Sequence, residues 1–435
     1  MLLSIAKKGQ SLFLLSFALF ALGGTLLLKL PGMTFHGNLA WIDAFFIAMS
    51  STCITGLATV PVTEFTLLGQ IVIVALIQIG GIGIMTLSAS ILLSLGKGLS
   101  FSDTLLISSL NDNFSLRGTE GLTRTVVKYS LLTEGAGAVL IYAGSLLKGD
   151  DWLSSLWNAV FLAVSSFCNA GMAPYGDSMA SQHVLSRIGC AGLIVFGGLG
   201  VYVIYDLLQV VKKRRLSMRI HSKVVLFTTV FLLIAGTVML KCAGLQGGAA
   251  LSWADAAFLS VSCRTAGFST FETGTLSDTG LLTVMILMLI GASPGSTGGG
   301  MKTSTVAVAA AAIWNTFLGN TEVLMYKRMI PGANVLRAFS IIVIFLLMTY
   351  TASVTMQALA PETDMTAIIF ESISALTTTG LSLNGTTATL HAPAKFALAL
   401  FMYIGRMGPF TIMLFLLSRE KRGQLKYPQE RIIIG

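Results

Sequence analysis

Apolar residues run through this chain in eight windows, each long enough to cross a bilayer as a helix of about 17–25 residues. The windows lie near residues 11–29, 66–94, 129–147, 184–211, 224–245, 281–313, 336–360 and 394–418. Backbone groups inside a bilayer must hydrogen-bond within the protein, which favours a helical bundle over an open sheet. The pattern predicts an all-α membrane protein with eight transmembrane helices.

Four further apolar segments are too short to cross a membrane. They are WIDAFFIAMSS (41–51), WNAVFLAVSSF (157–167), WADAAFLSVSC (253–263) and TAIIFESISAL (366–376). Apolar stretches of about 10–14 residues are typical of re-entrant helices. Each is followed by a Ser/Thr-rich turn that reaches a glycine, and these are Gly56, Gly171, Gly267 and Gly380. The pattern therefore predicts four half-helices that enter the membrane and turn back.

The distance from each of these glycines to the next span also recurs. Glycine-rich stretches in that span, QIGGIG, VFGGLG, LIGASPG and YIGRMGP, follow after 24, 26, 24 and 25 residues. Fourfold recurrence of motif, order and interval indicates four copies of one unit. We expect four helix–pore–helix repeats around a pseudo-fourfold axis, at 1–95, 96–212, 213–320 and 321–435. Close helix packing is an alternative role for the glycines within the spans.

Composition and charge agree with a membrane location. Hydrophobic residues make up 54% of the chain and charged residues 11%, against about 25% charged in soluble proteins. With eight spans, 20 of the 28 Lys and Arg residues lie on the side of both termini, which the positive-inside rule assigns to the cytoplasm. We therefore expect a multi-pass plasma-membrane protein whose charge of +9 reflects topology and not nucleic-acid binding. The apolar start imitates a signal peptide but is interpreted as the first span.

Several function classes find no support in the sequence. The five cysteines and four histidines show no metal-ligand spacing. Buried polar residues form no nucleophile or acid–base constellation, so no enzyme is expected. No Gly-rich nucleotide fingerprint follows a strand, and no organic cofactor is expected in this chain. Glu134, in the third span, has no evident partner in the sequence.

Four glycine turns that meet on one axis have a clear chemical use. Glycine permits a positive φ and leaves its carbonyl free of an obstructing side chain. A ring of carbonyl oxygens can replace the hydration shell of a cation, and the C-terminal ends of the half-helices add partial negative charge. The repeats therefore predict a path for a monovalent cation.

The residues of these turns also resemble a known family. TCITGL (52–57), CNAGMAP (168–174), SCRTAGFST (262–270) and FESISALTTTGLS (370–382) resemble the four filter segments of the Trk/Ktr/HKT superfamily of potassium transporters. The chain lacks two extra N-terminal spans and so looks most like the Ktr branch of membrane subunits. The resemblance implies K⁺ uptake through a channel-like pore and leaves dependence on Na⁺ open. The ion-binding residues that it implies are Thr55, Gly56, Asn169, Ala170, Gly171, Thr265, Ala266, Gly267, Thr378, Thr379 and Gly380.

The sixth window is interrupted by GASPGSTGGGMKTST (291–305), which is rich in helix breakers. A polar loop beneath the filter is expected to act as a gate, as the resemblance to the Ktr branch also implies. A simple kinked helix is the alternative, and the spacing of a phosphate-binding loop is absent. The expected gating residues are Gly291, Pro294, Gly295, Gly298, Gly299, Gly300, Lys302 and Arg406.

Charges at membrane depth are expected to be paired or functional. Arg264 and Glu371 flank the third and fourth turns, and we predict that they form an ion pair that supports the filter. Arg406 replaces a glycine of the last span, and we predict that it faces the path and anchors the gating loop. Lys302 is a second candidate for this anchoring role, with exposure to the cytoplasm as the alternative.

Partners follow from the resemblance, which implies a homodimer and a cytosolic ring of nucleotide-binding RCK/KTN regulatory subunits. Candidate docking surfaces are the basic segments 211–223 and 320–328, although topology and anionic membrane lipids also explain their charge. The apolar tip 432–434 is expected to lie at an interface. The alternative function is a secondary transporter of another cation or a small solute, built from broken helices. Such transporters usually carry one pair of repeats, and this chain has four.

Overall fold

The computed structural model describes residues 2–37, 39–95, 118–212 and 217–408. The regular secondary structure in these ranges is helical except for one antiparallel hairpin, Val323–Met325 with Arg328–Ile330. The helices are Leu2–Leu28, Trp41–Cys53, Leu67–Leu95, Gly118–Lys148, Trp152–Cys168, Val184–Leu199, Val201–Val211, Ile220–Ala243, Trp253–Ser262, Asp278–Leu289, Thr303–Phe317, Gly332–Leu359, Met365–Thr377, Thr386–Thr389 and Ala392–Met407. Single 3₁₀ turns occupy Val62–Glu64, Gln246–Gly248 and Thr273–Thr275. The protein is a helical membrane protein, as the hydrophobic windows predict.

Two sets of helices surround the site, and we call them the short helices and the following helices. Short helices 1 to 4 are Trp41–Cys53, Trp152–Cys168, Trp253–Ser262 and Met365–Thr377. Each short helix is followed in the chain, after a segment with at most one turn of helix, by a second helix. Following helices 1 to 4 are Leu67–Leu95, Val184–Leu199, Asp278–Leu289 and Ala392–Met407.

The described helices cover the predicted windows, but the count of eight spans stays a prediction. Within the described residues, three helices are long and apolar enough to cross a membrane: Val126–Lys148, Ile220–Ala243 and Gly332–Leu359. Val184–Leu199 and Val201–Val211 qualify as one span, which is bent by 97°. The sequence analysis missed this bend. The end of the last window and the tip at 432–434 lie outside the described residues, and the repeat boundaries also stay predictions.

The short helices begin where side chains cap their first turns. Asp151 Oδ2 accepts hydrogen bonds from the backbone N–H groups of Leu153 and Ser154, both at 3.2 Å. Asp364 Oδ2 does the same for short helix 4, and Ser252 Oγ caps short helix 3 at 3.0 Å. Side-chain oxygens at this position satisfy N–H groups that have no partner in the helix. These caps fix the point at which three of the four short helices start.

The short helices carry fully buried aromatic side chains. Phe46, Phe161 and Phe370 are fully buried there. The longer helices expose large apolar residues instead, such as Phe231 at 58% and Leu347 at 60%. Hydrophobic side chains that face outward are expected where the surrounding medium is lipid. The short helices therefore form the centre of the molecule and the long helices its lipid-facing wall.

The fourth residue of three following helices contacts the next short helix. Lys395 Nζ pairs with Asp43 of short helix 1 at 2.9 Å, and Arg187 pairs with Asp255 of short helix 3 at 3.3 Å. Both ion pairs join elements that lie far apart in the sequence.

The two remaining positions carry no charge. Trp157 Nε1 of short helix 2 donates to Gln70 Oε1 at 2.7 Å. Leu281 belongs to the same buried apolar cluster as Ala367 of short helix 4. Three contacts at equivalent positions and one shared apolar cluster thus link the short helices in a circle, with ion pairs at alternate positions.

Replacing Lys395 by Ala should destabilise the protein by about 1–3 kcal/mol, because the variant leaves a mostly buried Asp43 without its charged donor. Thermal unfolding of the purified protein in detergent measures this effect. Lys148→Ala is the control, since its 3.7 Å pair with Asp150 is about one-third exposed and such pairs contribute at most about 1 kcal/mol. Equal losses in the two variants would contradict a role of the 395–43 contact in holding the circle together.

Candidate functional site

The turns after the four short helices share one backbone conformation. Two residues before each glycine, Ile54, Asn169, Thr265 and Thr378 adopt φ values of 56°, 60°, 68° and 51°. The glycines also have positive φ, from 68° to 98°. We call Gly56, Gly171, Gly267 and Gly380 the ring glycines. Because residues with side chains rarely adopt such conformations, four equivalent turns indicate one shared geometry.

The ring glycines form a closed circle in chain order. A Cβ atom built on Gly56 would lie 3.1 Å from Cα of Gly171, and one on Gly171 would lie 3.0 Å from Cα of Gly267. The corresponding distances from Gly267 to Gly380 and from Gly380 back to Gly56 are 3.1 and 2.8 Å. Only residues without side chains approach each other this closely. The sequence analysis predicts that the turns meet on one axis, and the structure brings them together.

Backbone carbonyls accompany the ring glycines around this circle. The carbonyl oxygens of Thr55, Ala170, Ala266 and Thr379 each pack against the ring glycine of the preceding segment. The side chains of these four residues are fully buried. A ring of four neutral oxygens from four chain segments is thus assembled at the centre of the protein.

Serines of the short helices hold these segments in place. Ser50 Oγ accepts from the N–H of Gly56 and Ser374 Oγ from that of Gly380, both at 3.1 Å. Ser165 Oγ donates to the carbonyl of Met172 at 2.7 Å. Ser262 makes the equivalent bond in the third segment, to the carbonyl of Phe268. The Ser-rich stretches before the glycines therefore supply partners for non-helical backbone, a role that the sequence analysis missed.

Glycines of the following helices allow a second close approach. A side chain on Gly80 would clash with the carbonyl of Thr52, one on Gly197 with that of Phe167, and one on Gly405 with that of Leu376. These carbonyls lie four residues before the ring glycines. Close packing, the alternative left open above, therefore explains the three glycines.

The sixth window contains a true break. Following helix 3 ends at Leu289 and the next helix begins at Thr303, and we call residues 290–302 the loop. Its two ends are joined where the N–H of Gly291 donates to the carbonyl of Met301 at 2.9 Å. Gly295 and Gly300 have φ values of 74° and 66°, which explains the glycine content.

The loop fills the bend of the fourth window. The N–H groups of Ser293 and Thr297 donate to the carbonyls of Gly198 and Gly197. The N–H of Val201 donates to the carbonyl of Gly295 at 3.2 Å. Each break in a helix thus supplies hydrogen-bond partners for the other, which non-helical backbone at membrane depth requires.

Two cationic side chains hold consecutive carbonyls of the loop. Arg406 Nη1 donates to the carbonyl of Thr297 at 2.5 Å, and Lys302 Nζ donates to that of Gly298 at 2.6 Å. Arg406 is 7% exposed, and its Nε and Nη2 atoms have no hydrogen-bond partner. The predicted contact between Arg406 and the loop is present, and Lys302 makes a second contact of the same kind.

The predicted ion pair between Arg264 and Glu371 is wrong. Glu371 Oε1 accepts from the Ser382 hydroxyl and the Leu383 N–H, and Oε2 accepts from the Thr387 hydroxyl. Arg264 instead directs Nη2 toward the carbonyl of Gly291, at 3.4 Å. Donors that follow the fourth turn in sequence satisfy the carboxylate, so no distant cation is needed.

Glu134, left unassigned above, has a partner in the structure. Both of its oxygens accept from Gln78 Nε2 at 3.1 Å. Gln78 Oε1 in turn accepts from Cys168 Sγ at 3.6 Å, at the end of short helix 2. This chain of contacts links the third window to the turn that contains Asn169. Among the described residues, no three His, Cys, Asp or Glu side chains are grouped as metal ligands.

Comparison with known proteins places this chain in a family. The family model described as "TrkH: Cation transport protein" matches residues 20–423. The chain belongs to the TrkH family. Within the Trk/Ktr superfamily it is most like the Ktr membrane subunits.

Three relatives align with almost the whole length of this chain. It is 35% identical to the Ktr system potassium uptake protein B of Vibrio alginolyticus, over 99% of this chain and 96% of that protein. The potassium/sodium uptake protein NtpJ of Enterococcus hirae is 33% identical, over 96% of this chain and 95% of that protein. The Ktr system potassium uptake protein B of Bacillus subtilis is 30% identical, over 97% of this chain and 95% of that protein.

The fold also matches a solved TrkH family structure. The crystal structure of the potassium transporter TrkH from Vibrio parahaemolyticus gives a TM-score of 0.73, over 95% of this chain and 85% of that one. The identity is 17%, so the likeness concerns the fold alone.

Glu371→Gln should leave the protein within about 1 kcal/mol of the original stability, because Gln keeps an acceptor for Leu383 N–H and can donate to the Thr387 hydroxyl. Glu371→Ala should cost about 3 kcal/mol or more, since it leaves buried donors unsatisfied and opens a cavity. Thermal unfolding in detergent distinguishes the two variants. A large loss in Glu371→Gln would show that the negative charge itself is required.

Proposed function

We propose that the protein takes up K⁺ through a central pore whose selectivity filter is the circle of ring glycines. The observation that carries this proposal is the closed contact of Gly56, Gly171, Gly267 and Gly380, with four backbone carbonyls between them. The names of three relatives, two potassium uptake proteins and one potassium/sodium uptake protein, support K⁺ as the transported ion. Neutral oxygens in a ring favour a dehydrated monovalent cation over an anion.

The proposed architecture has eight spans, with the four short helices as re-entrant pore helices. The short helices end at the ring, so their C-terminal dipole ends point toward the ion and add partial negative charge. The excess of Lys and Arg on one side supports cytoplasmic termini and a plasma-membrane location. In this orientation the loop lies on the cytoplasmic side of the filter.

The loop is the proposed gate. It packs beneath the ring, where Thr297 Oγ1 donates to the carbonyl of Phe167 at 3.1 Å. Side chains on Gly298 and Gly299 would clash with Thr265 and Thr378 of the third and fourth turns. Residues from three repeats therefore hold the loop across the path, and its withdrawal opens the pore.

The proposed pore has a regulatory partner and a second copy of this chain. The Ktr system names of two relatives support a separate regulatory subunit, which we propose to be a cytosolic nucleotide-binding RCK/KTN ring on a homodimer of this chain. The hairpin Val323–Ile330 exposes Leu324, Tyr326 and Met329 by about half, beside the basic residues Lys327 and Arg328. This hairpin lies in one of the two predicted docking segments. The name potassium/sodium uptake protein of NtpJ makes Na⁺ the second ion to test.

Expression of the chain with its regulatory subunit should restore growth at limiting K⁺ to bacteria that lack K⁺ uptake systems. Gly267→Ala should abolish this rescue, because its methyl group would clash with the carbonyl of Thr379 at a φ of 81°. Gly192→Ala is the matched control, since a Cβ atom there meets nothing within 4 Å. Failure of the original chain to restore growth despite normal membrane expression would overturn the proposal.

Arg406→Ala should raise K⁺ uptake into liposomes, by about tenfold if the lost bond to the Thr297 carbonyl holds the closed loop by ~1.4 kcal/mol. Arg406→Lys keeps the charge with fewer donors and should give an intermediate rate. Unchanged or lower uptake in Arg406→Ala, with intact folding, would contradict a gate anchored by this arginine.

A further inference from the structure

One buried carboxylate has no part in the proposed pore. Glu134 is 5% exposed and lies in the helix Gly118–Lys148, whose Leu131 and Leu132 are 58% and 65% exposed. The helix therefore faces lipid on one side and directs Glu134 toward the interior of the protein. Burying a carboxylate at membrane depth is costly, and such residues are rare unless they serve a function.

The carboxylate fixes the orientation of an amide. Both oxygens of Glu134 accept hydrogen bonds from Gln78 Nε2 at 3.1 Å. Because an ionised carboxylate offers acceptors only, it selects the nitrogen of the Gln78 amide. The amide oxygen then faces away from Glu134, where it accepts from Cys168 Sγ at 3.6 Å.

Cys168 is the last residue of short helix 2 and is 1% exposed. It is followed by the left-handed Asn169, at a φ of 60°, and by Ala170, whose carbonyl belongs to the ring. Gly81 of following helix 1 leaves room for the thiol, because a Cβ atom there would lie 2.6 Å from Sγ and 3.5 Å from Ile54 Cδ1 of the first turn. The chain of contacts thus reaches the point where two turns of the ring meet following helix 1.

The equivalent residues of the other turns, three positions before their ring glycines, are held differently. Cys53 Sγ bonds to Met49 of its own helix at 3.6 Å. Thr377 Oγ1 donates to the carbonyl of Ile373, also in its own helix, at 2.7 Å. Arg264 directs its guanidinium toward a backbone carbonyl of the loop. The second turn is instead tied to a side chain of another helix, and a buried carboxylate orients that side chain.

We propose that Glu134 is a positioning residue for the second turn, and that it acts through Gln78 and Cys168 on the preference of the ring for K⁺ over Na⁺. The inference rests on the proposed function and assigns to it a residue outside the ring. A carbonyl ring of fixed diameter favours K⁺ over the smaller Na⁺, and a turn that shifts inward brings its oxygen within reach of Na⁺. The bond to Cys168 holds the second turn against such a shift.

The test uses the full chain in liposomes, with K⁺ and Na⁺ uptake measured under equal gradients. Glu134→Gln keeps the shape, but its amide presents either an oxygen or a nitrogen, so Gln78 is free to turn its own oxygen away from Cys168. We expect the ratio of K⁺ to Na⁺ uptake to fall by about threefold to tenfold, the effect of one lost hydrogen bond. A residue that only stabilises the fold would change the amount of active protein and leave this ratio unchanged.

Tyr129→Phe is the matched control in the same helix. It removes the hydroxyl that bonds to the carbonyl of Phe196 and keeps the ring that packs edge-on against Phe167 at 5.7 Å. Because this hydroxyl has no part in the contacts to Cys168, the ratio of K⁺ to Na⁺ uptake should stay unchanged.

Variants of Cys168 test the route from the carboxylate to the turn. Cys168→Ser keeps a donor for Gln78 and should retain the ratio, whereas Cys168→Ala removes the donor and should lower the ratio as Glu134→Gln does. The double variant Glu134→Gln/Cys168→Ala should lower it no further than either single change, because both break one chain of contacts. Cys190→Ala, at a fully buried cysteine of following helix 2, is the control and should leave the ratio unchanged.

The outcomes separate this inference from the proposed function. Normal K⁺ uptake with an unchanged ratio in Glu134→Gln and in Cys168→Ala would overturn the positioning role alone. Additive losses in the double variant, or equal ratios in Cys168→Ser and Cys168→Ala, would overturn the route through the thiol. If thermal unfolding in detergent shows that Glu134→Gln is not folded, the two Cys168 variants decide. No K⁺ uptake by the original chain would overturn the function on which the inference rests.

Discussion

The structure depends on the mutual approach of four glycine backbones at its centre. Cα atoms of neighbouring ring glycines lie where a side chain would have to be, at 2.8–3.1 Å from the Cβ positions. The ring glycines have positive φ, and a left-handed residue lies two positions before each of them. The short helices, their caps and the circle of contacts between them all serve to hold these four points together.

Non-helical backbone at the centre of a membrane protein needs partners, and this chain supplies them from within. Serine hydroxyls of the short helices bond the backbone around the ring glycines. The bend at Gly200 and the loop at 290–302 exchange N–H and carbonyl groups across their interface. Two irregular segments placed together satisfy each other, whereas either one alone would leave polar groups without partners.

The buried cations near the loop bond to backbone carbonyls, and no carboxylate of the described residues neutralises them. Arg406 and Lys302 bond to backbone carbonyls of the loop, and Arg264 lies nearest to a third. Hydrogen bonds from a charged donor to a carbonyl are stronger than neutral ones. Arg406 and Lys302 therefore fasten the loop in the position that the proposed gate has when it is closed.

Much of this organisation was readable from the sequence. Four short apolar segments, four glycines and a constant spacing predict the turns that the structure brings into one circle, and the cluster of glycines around Pro294 predicts the loop. These features are local, because glycine content and apolar length limit backbone conformation wherever they occur. The contact of Arg406 with the loop was also predictable, since a charge at membrane depth must find a partner.

Tertiary structure alone decided which groups meet. The pairing of Arg264 with Glu371 was a reasonable prediction from charge, yet nearby hydroxyls and an N–H satisfy the carboxylate. The bend at Gly200 has no proline signal, and the loop packs into it. The partners of Glu134 and of the short-helix serines likewise depend on distances between chain segments. A linear pattern states what each residue is able to bond, and only the packed chain determines which partner is within reach.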